Sequence, residues 1–415
     1  MNIKIPGGVR HIISALESGG YEAYAVGGCV RDSLLGKTPQ DWDVCTSALP
    51  EQTIACFAGQ HIIETGLRHG TVTLMLDAKP YEITTYRAEG KYKDGRRPES
   101  VKFVSALKRD LARRDFTINA MAYNANSGLV DYYGGAADLS SGVIKCVGNA
   151  DKRLREDALR IMRALRFAAA FDFVIEAETW KAMDAGKERL RNISAERVAA
   201  ELNRLIVAGG AGNALRRYGA ILLELTPELA DAGGFGRALR SIDSAPEELI
   251  IRLALLFTAS ADTARAVLTR LKYDSGTVNT VAELALWHDA DIQACPKSVK
   301  RWLNKLGEER FRQLIELKKA AQGGADGLNE ILALADEIIG QGQAFSLKHL
   351  AVSGRDLLDA GIPEGKQVGE ILGRLMDMVL DGQAVNDKAA LLEIAGGICK
   401  QDTGAAESSQ RAQIF

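Results

Sequence analysis

The chain has 415 residues, and its 52 Lys and Arg nearly balance 54 Asp and Glu, for a formal net charge of −2. Its 47% hydrophobic and 26% charged content is that of a soluble, multi-domain protein, and no apolar run approaches the roughly 18 residues of a membrane helix. The opening MNIKIPGGVR has no apolar signal core, and six cysteines without a C-x-x-C give neither a disulfide framework nor a zinc pattern, so a cytoplasmic chain with no membrane partner is expected.

Strand-like runs with alternation or β-branching lie within the first 150 residues: Tyr21–Val26, Val44 with its flanks, Thr71–Met75, Tyr81–Tyr86, Val101–Val104 and Val143–Val147. Asp77 to Pro80 reads as a hairpin turn. After Asp151 the pattern is helical, with Leu154, Ala158, Ile161, Leu165 and Ala168 in a 3–4 rhythm. Gly-rich breaks at 209–212, 323–324 and 340–342 divide that region into units. An α+β head followed by helical modules is predicted.

Charge is uneven along this plan. Residues 87–114 hold ten Lys/Arg and four Asp/Glu, and residues 145–170 hold seven and three. Such strips are either solvated faces or a footprint for a polyanion.

Four segments carry candidate chemistry. In Tyr24 to Gly36 a strand runs into Gly27-Gly28 and then a short helix. Bare glycine backbone and a helix N-terminus suit a phosphate, with Arg31 in reach; an ordinary tight turn has the same sequence. Gly36-Lys37-Thr38 is no P-loop, because the required first glycine would fall at Arg31. Next, Asp41-Trp42-Asp43 in a strand points two carboxylates to one face, and Glu82 on the Tyr81–Tyr86 strand could add a third. Adjacent like charges call for a cation, and Mg²⁺ takes one or two carboxylates plus substrate phosphates. In Arg113-Arg114-Asp115 through Asn119, Asp115 and Asn119 at i, i+4 share a helical face. That face suits ribose hydroxyls and Arg114 a phosphate, or the segment is a capped surface helix. Finally, at about 3.6 residues per turn, Arg160, Arg163 and Arg166 lie opposite the stripe of Leu154, Ala158, Ile161 and Leu165. This row beginning at Asp157 is a solvated face or a seat for an anion.

Taken together, these segments resemble the class II tRNA nucleotidyltransferases, the bacterial CCA-adding enzymes and their poly(A) polymerase relatives. The match rests on Gly27-Gly28-x-Val30-Arg31-Asp32, Asp41-x-Asp43, Arg113 to Ala120, Asp131-x-x-Gly134-Gly135-x-x-Asp138-Leu139 and Glu156-Asp157-x-x-Arg160, in order over roughly residues 20–205. Ser194 to Leu202 is similar to the motif closing the family's neck, and residues 350–395 to its helical tail. The resemblance implies a polymerase-β-like head with a mixed sheet (1–147), then an all-α neck (148–208), body (209–322) and tail (323–415). It implies Asp41 and Asp43 as Mg²⁺ ligands, and Glu82, from its place on the neighbouring strand, joins them as a catalytic candidate. Gly28 and Arg31 would contact the triphosphate, and Arg114, Asp115 and Asn119 phosphate or ribose. Asp157 and Arg160 would read the base, with Arg163 and Arg166 nearby.

No nucleic-acid template is used in that family. Cytosine and adenine both present an amino donor beside a ring-nitrogen acceptor, whereas guanine and uracil reverse the order. An Asp accepting and an Arg donating therefore admit CTP and ATP alone. The loop Glu89 to Pro98 resembles that of full CCA enzymes, so tRNA is the expected partner. An A-adding enzyme or poly(A) polymerase is the alternative, and an inactive RNA-binding protein on the same fold would have lost Asp41 or Asp43. His288-Asp289 hints at a phosphohydrolase doublet without partners. A monomer and a homodimer are both compatible with the sequence.

Overall fold

The computed structural model describes residues 3–89, 101–231 and 234–412. It comprises two compact units, residues 1–243 with 265–275, and residues 244–264 with 276–415. The basic residues Lys91, Lys93, Arg96 and Arg97 of the expected CCA-type loop lie outside the described residues.

The first unit opens with a helix absent from the sequence reading, α1 (Gly7–Ser18), which buries Val9, Ile12, Ile13 and Leu16. There follow β1 (Ala23–Val26), α2 (Gly28–Leu34), β2 (Val44–Thr46), α3 (Pro50–Cys56), β3 (His61–Ile63), β4 (Thr71–Leu76) and β5 (Lys79–Thr85). Then come β6 (Arg87–Glu89), β7 (Val101–Phe103), α4 (Leu107–Ala112), β8 (Ala122–Asn124), β9 (Gly128–Val130), α5 (Gly135–Ser140) and β10 (Val143–Ile144). Seven strands form one mixed sheet in the order β3-β4-β5-β2-β1-β8-β9, with β2 and β5 parallel. The turn at Asp77-Ala78 is a hairpin, and both residues have positive φ (50° and 59°), which matches the twist of β4 and β5. Leu107 and Leu111 of α4 pack on Val26, Cys45, Tyr86, Ala120 and Ala122 and cover one face of the sheet.

Sheet register places the chemistry. Val26 of β1 is opposite Ala122, Ala25 is opposite Val44, and Val44 is level with Ile83. The end of β1 and the segments just before β2 and β8 therefore meet at one end of the central strands. Gly27, Asp43 and Glu82 are the next residues outward.

Helices α6 (Ala150–Glu156), α7 (Leu159–Phe171), α8 (Ala177–Gly186) and α9 (Ala195–Ile206) follow, with a short β11 (Val174–Ile175) pairing with β10. The single helix expected across Asp157 is broken: Asp157 is extended (φ −146°, ψ 105°) and separates α6 from α7. The expected 115–119 helix is likewise an isolated bridge at Phe116 followed by one 3₁₀ turn, Thr117–Asn119.

The second unit is helical, including Leu249–Leu256, Pro296–Leu306, Glu308–Gln322, Leu328–Gly340, Lys366–Leu380 and Lys388–Ala412. Val352, Leu357, Ile371, Leu375, Leu391 and Ala395 form one of its cores. Among the described residues, no helix is long and apolar enough to cross a membrane.

Candidate active site

Glycine is needed at position 27 for two reasons. Its φ is +81°, and a Cβ there would sit 2.8 Å from Nη1 of Arg114. A Cβ at Gly28 would lie 3.6 Å from Nη2 of Arg31. The glycine turn is thus bare backbone flanked by two guanidinium groups, an arrangement that takes an anion. Arg31 is fixed: Nη1 donates to Oδ1 of Asn119 at 2.6 Å and Nε to Oδ1 of Asp32 at 2.8 Å. Its guanidinium also lies 4.9 Å from the Phe171 ring centre and 5.2 Å from that of Phe167. Arg114 donates to Asp110 at 3.5 Å, and its buried Nε has no partner.

Asp41 and Asp43 lie just ahead of β2, not within a strand. Both side chains are exposed, and the main-chain carbonyl of Asp43 accepts from Val26 N at 3.0 Å, which ties it to β1. The Asp43 carboxyl titrates above its ordinary value. Crowding by protein atoms is the main cause; Arg114 opposes it, and the Glu82 and Asp41 charges add to it. The three carboxylates feel one another, yet among the described residues no group of three His, Cys, Asp or Glu is placed to hold a metal ion. The Glu82 charge acts on Asp43. The set fits a cation held by two carboxylates and completed by phosphate or water oxygens. Cys29 behind the turn is no nucleophile, since burial first and Asp43 second push its thiol up to about 11.

Asp115 and Asn119 do meet, with Nδ2 of Asn119 donating to Oδ1 of Asp115 at 3.1 Å. Both side chains are bonded within the protein. Asp115 also accepts from Phe116 N at 2.8 Å and from Nε and Nη2 of Arg163 at 2.8 and 2.7 Å, so its four acceptor positions are filled. Burial would raise its pKa, but Arg163, Asn119 and the Phe116 N–H prevail and hold it well below the usual carboxylate range. In this structure Asp115 orients Asn119, and Asn119 holds Arg31.

The arginine row is equally committed, and does not face open solvent as a helical wheel suggests. Arg160 is buried and donates to Glu156 at 2.9 Å and to the carbonyls of Arg153 and Arg113 at 2.9 and 3.1 Å. Arg166 pairs with the buried Glu201 at 2.5 Å and stacks 4.1 Å from the Phe167 ring centre. Burial lowers the Arg166 pKa and Glu201 resists that. Asp157 is not bonded to Arg160. It accepts from Arg197 at 2.8 Å and from Leu159 N at 3.1 Å.

The sequence reading missed Asp110 and the part played by Glu201. Asp110 is fully buried and joins Arg113, Arg114 and the Arg87 N–H. Each is a carboxylate set in an apolar stripe, Asp110 beside Leu107 and Leu111, Glu201 beside Val198, Leu202 and Leu205. That pattern was the available signal. His288 of the proposed doublet bonds the Ala285 carbonyl at 2.8 Å, and its own carbonyl takes Lys318 at 3.0 Å.

Comparison with known proteins gives a consistent picture. Residues 23–145 match the Poly A polymerase head domain. Residues 172–232 match the probable RNA and SrmB-binding site of polymerase A, and residues 244–395 the putative domain 2 of tRNA nucleotidyltransferase. The chain is 36% identical over 388 residues to the CCA-adding enzyme of Levilactobacillus brevis, covering 92% of this chain and 96% of the relative. It is 34% identical over 392 residues to that of Bacillus velezensis, with the same coverage of 92% and 96%. The crystal structure of the Bacillus stearothermophilus CCA-adding enzyme in complex with CTP superposes with a TM-score of 0.79 at 30% identity, over 95% of this chain and 98% of that one. The Thermotoga maritima CCA-adding enzyme complexed with tRNA shares the fold, with a TM-score of 0.68 at 22% identity over 96% and 97% of the two chains.

Proposed function

Since the chain belongs to the family of CCA-adding enzymes, we propose that it adds C, C and A in turn to the 3′ end of tRNA from CTP and ATP, releasing diphosphate. The observation that carries this reading is the end of the central strands, where Asp41 and Asp43 adjoin a glycine turn lined by Arg31 and Arg114. In this reading residues 1–147 perform the transfer, 148–208 read the base, 209–322 form a body and 323–415 grip tRNA.

The triphosphate lies over Gly27 and Gly28, where no Cβ blocks the backbone. Arg31 and Arg114 neutralise its charge, and Arg31 is held for that task by Asn119, Asp32 and two phenylalanine rings. Asp41 and Asp43 would hold magnesium, which when bound stabilises the entering and leaving oxygens of an in-line displacement. Asp157 accepts from the base amino group and Arg160 donates to the ring nitrogen, so C and A fit, whereas G and U set acceptor against acceptor and donor against donor. Both side chains are occupied in this structure, by Arg197 and by Glu156, so base binding exchanges partners already made.

The test is incorporation of labelled CTP and ATP into tRNA trimmed of its last three nucleotides. Wild type should restore CCA, and Asp41→Asn or Asp43→Asn should abolish addition while leaving fold and tRNA binding intact. Incorporation of A alone, onto tRNA ending in CC, would make this an A-adding enzyme. Near-normal turnover by either variant would remove the carboxylates from the mechanism.

A further inference from the structure

Asp110 lies on the core-facing side of α4 with Leu107 and Leu111, and it is fully buried. A carboxylate in that setting is costly unless donors surround it. Its Oδ1 accepts from Nε of Arg113 at 2.9 Å and from the Arg87 N–H at 3.2 Å, which ties the end of α4 to the start of β6. Those two donors serve one oxygen. The other, Oδ2, is turned to Arg114, whose Nη2 lies 3.5 Å away. Among the described residues Arg114 bonds no other carboxylate, and its Nε is buried without a partner. The remaining nitrogen, Nη1, reaches the glycine turn, where a Cβ on Gly27 would sit 2.8 Å from it. The guanidinium therefore spans from Asp110 to Gly27, with one terminal nitrogen at each end.

We propose that Asp110 is a positioning residue for nucleotide binding: it holds one arm of Arg114 so that the other lies over Gly27, ready for the triphosphate. The inference rests on the triphosphate reading above, which gives a role to Arg114 and none to Asp110. The sign of the charge change separates this role from a merely structural one. Asp110, Arg113 and Arg114 together carry one net positive charge, so the cluster still attracts an anion. Asp110→Asn raises that charge by one. If charge alone governed binding, a triphosphate would bind the variant more tightly. Positioning predicts the reverse. In the variant the amide oxygen serves Arg113 and Arg87, which leaves the amide N–H groups facing Nη2 of Arg114, donor against donor. The guanidinium is pushed off its seat. Guanidinium–phosphate bonds are paired and directional, so a displaced fork loses more than the added charge restores. The same geometry requires arginine at 114, because the single ammonium of a lysine cannot hold Asp110 and cover Gly27 at once.

The experiment titrates CTP, CMP and inorganic tripolyphosphate into the full-length protein without tRNA, for wild type, Asp110→Asn, Arg114→Met, the double variant and Arg114→Lys. Asp110→Asn should weaken CTP and tripolyphosphate at least about fivefold, and CMP by less than about twofold. In the Arg114→Met background Asp110→Asn should weaken neither any further, while its cost to the thermal midpoint, which runs through Arg113 and Arg87, persists. Arg114→Lys keeps the charge and leaves Asp110 in place, and it should lose as much affinity as Arg114→Met; this arm decides the matter if Asp110→Asn does not fold. In turnover, KM for CTP and for ATP should rise together in Asp110→Asn, with the choice against UTP and GTP unmoved. Unchanged or tighter CTP binding by Asp110→Asn overturns the proposal. So does a loss of the same size in the Arg114→Met background, or wild-type affinity in Arg114→Lys. Each of those results, with wild-type binding intact, leaves the triphosphate reading standing. A wild type that binds neither CTP nor tripolyphosphate removes that reading and the proposal together.

Discussion

Arg163→Met tests whether a charge network joins the catalytic sheet to the helix that follows it. Arg163 makes two contacts of 2.7–2.8 Å with Asp115, whose side chain is 8% exposed, while Arg163 itself is 32% exposed. Removing one partner of a fully buried pair costs about 3–5 kcal/mol. The exposed third of Arg163 and the Asn119 and Phe116 N–H bonds that survive reduce this to about 2–3 kcal/mol at neutral pH. The pH dependence identifies the cause. Asp115 has a folded pKa below its unfolded value of about 3.9, so its stabilisation is complete above that value and is lost as pH falls through the folded pKa. In the variant the main downward pull is gone and burial raises the pKa. The carboxyl then takes up a proton on mild acidification and recovers stability. The gap between the two proteins should therefore narrow as pH drops below about 5. Hydrogen exchange of peptides covering 115–119 and 159–167, at pH 7 and at pH 4, reads the local opening energy. Asp115→Asn in the Arg163→Met background should recover most of the loss at pH 7. A gap that is the same at both pH values, or a double variant no better than the single, would refute the charge argument and leave packing on Phe167 as the cause.

Two further predictions follow from the site. Gly27→Ala combines a positive φ with a 2.8 Å approach to Arg114, so it should destabilise by about 1–3 kcal/mol and raise KM for both nucleotides; a wild-type thermal midpoint and KM would contradict it. Asp157→Ala should lower discrimination against UTP and GTP by about ten- to a hundredfold, measured by incorporation of all four nucleotides. Arg160→Ala should also lose some stability, because three hydrogen bonds of a buried guanidinium go, although Arg153 still donates to Glu156 and to the Arg113 carbonyl; equal loss for every nucleotide, with selectivity kept, would make the pair structural.

The glycine turn was legible because its cause is local: only glycine takes that φ beside a guanidinium. Asp41 acts on the Asp43 carboxyl, as their spacing suggested, but neither lies in a strand, which begins at Val44. The Asp115–Asn119 contact was right and its element wrong, since an i, i+4 approach occurs across a bridge and a 3₁₀ turn as well as on an α-helix. The arginine row misled for a different reason. A helical wheel assumes an unbroken helix, and Asp157 interrupts it. The wheel also cannot know that Asp115 and Glu201, 48 and 35 residues away, supply the carboxylates that draw Arg163 and Arg166 out of solvent. Local chemistry is written in spacing, whereas long-range pairing is set by which elements pack, here α7 against α9 and, through Phe167, against Phe116.

This pairing bears on how a site with so many arginines can still choose a base. A free guanidinium would bind any phosphate or carbonyl strongly, and selectivity would be lost in that uniform attraction. Here Arg163 and Arg166 are compensated by Asp115 and Glu201, and Arg31 by Asp32 and Asn119. Asp157 and Arg160 are likewise satisfied before any nucleotide arrives. A base of the right pattern replaces bonds of similar strength. A base of the wrong pattern breaks the same bonds and leaves buried donors and acceptors unpaired, at about 1–3 kcal/mol each. Selection in the proposed mechanism then lies in the difference between exchange and loss, and the carboxylates beyond the pocket make that difference large by keeping the arginines from rewarding mere negative charge.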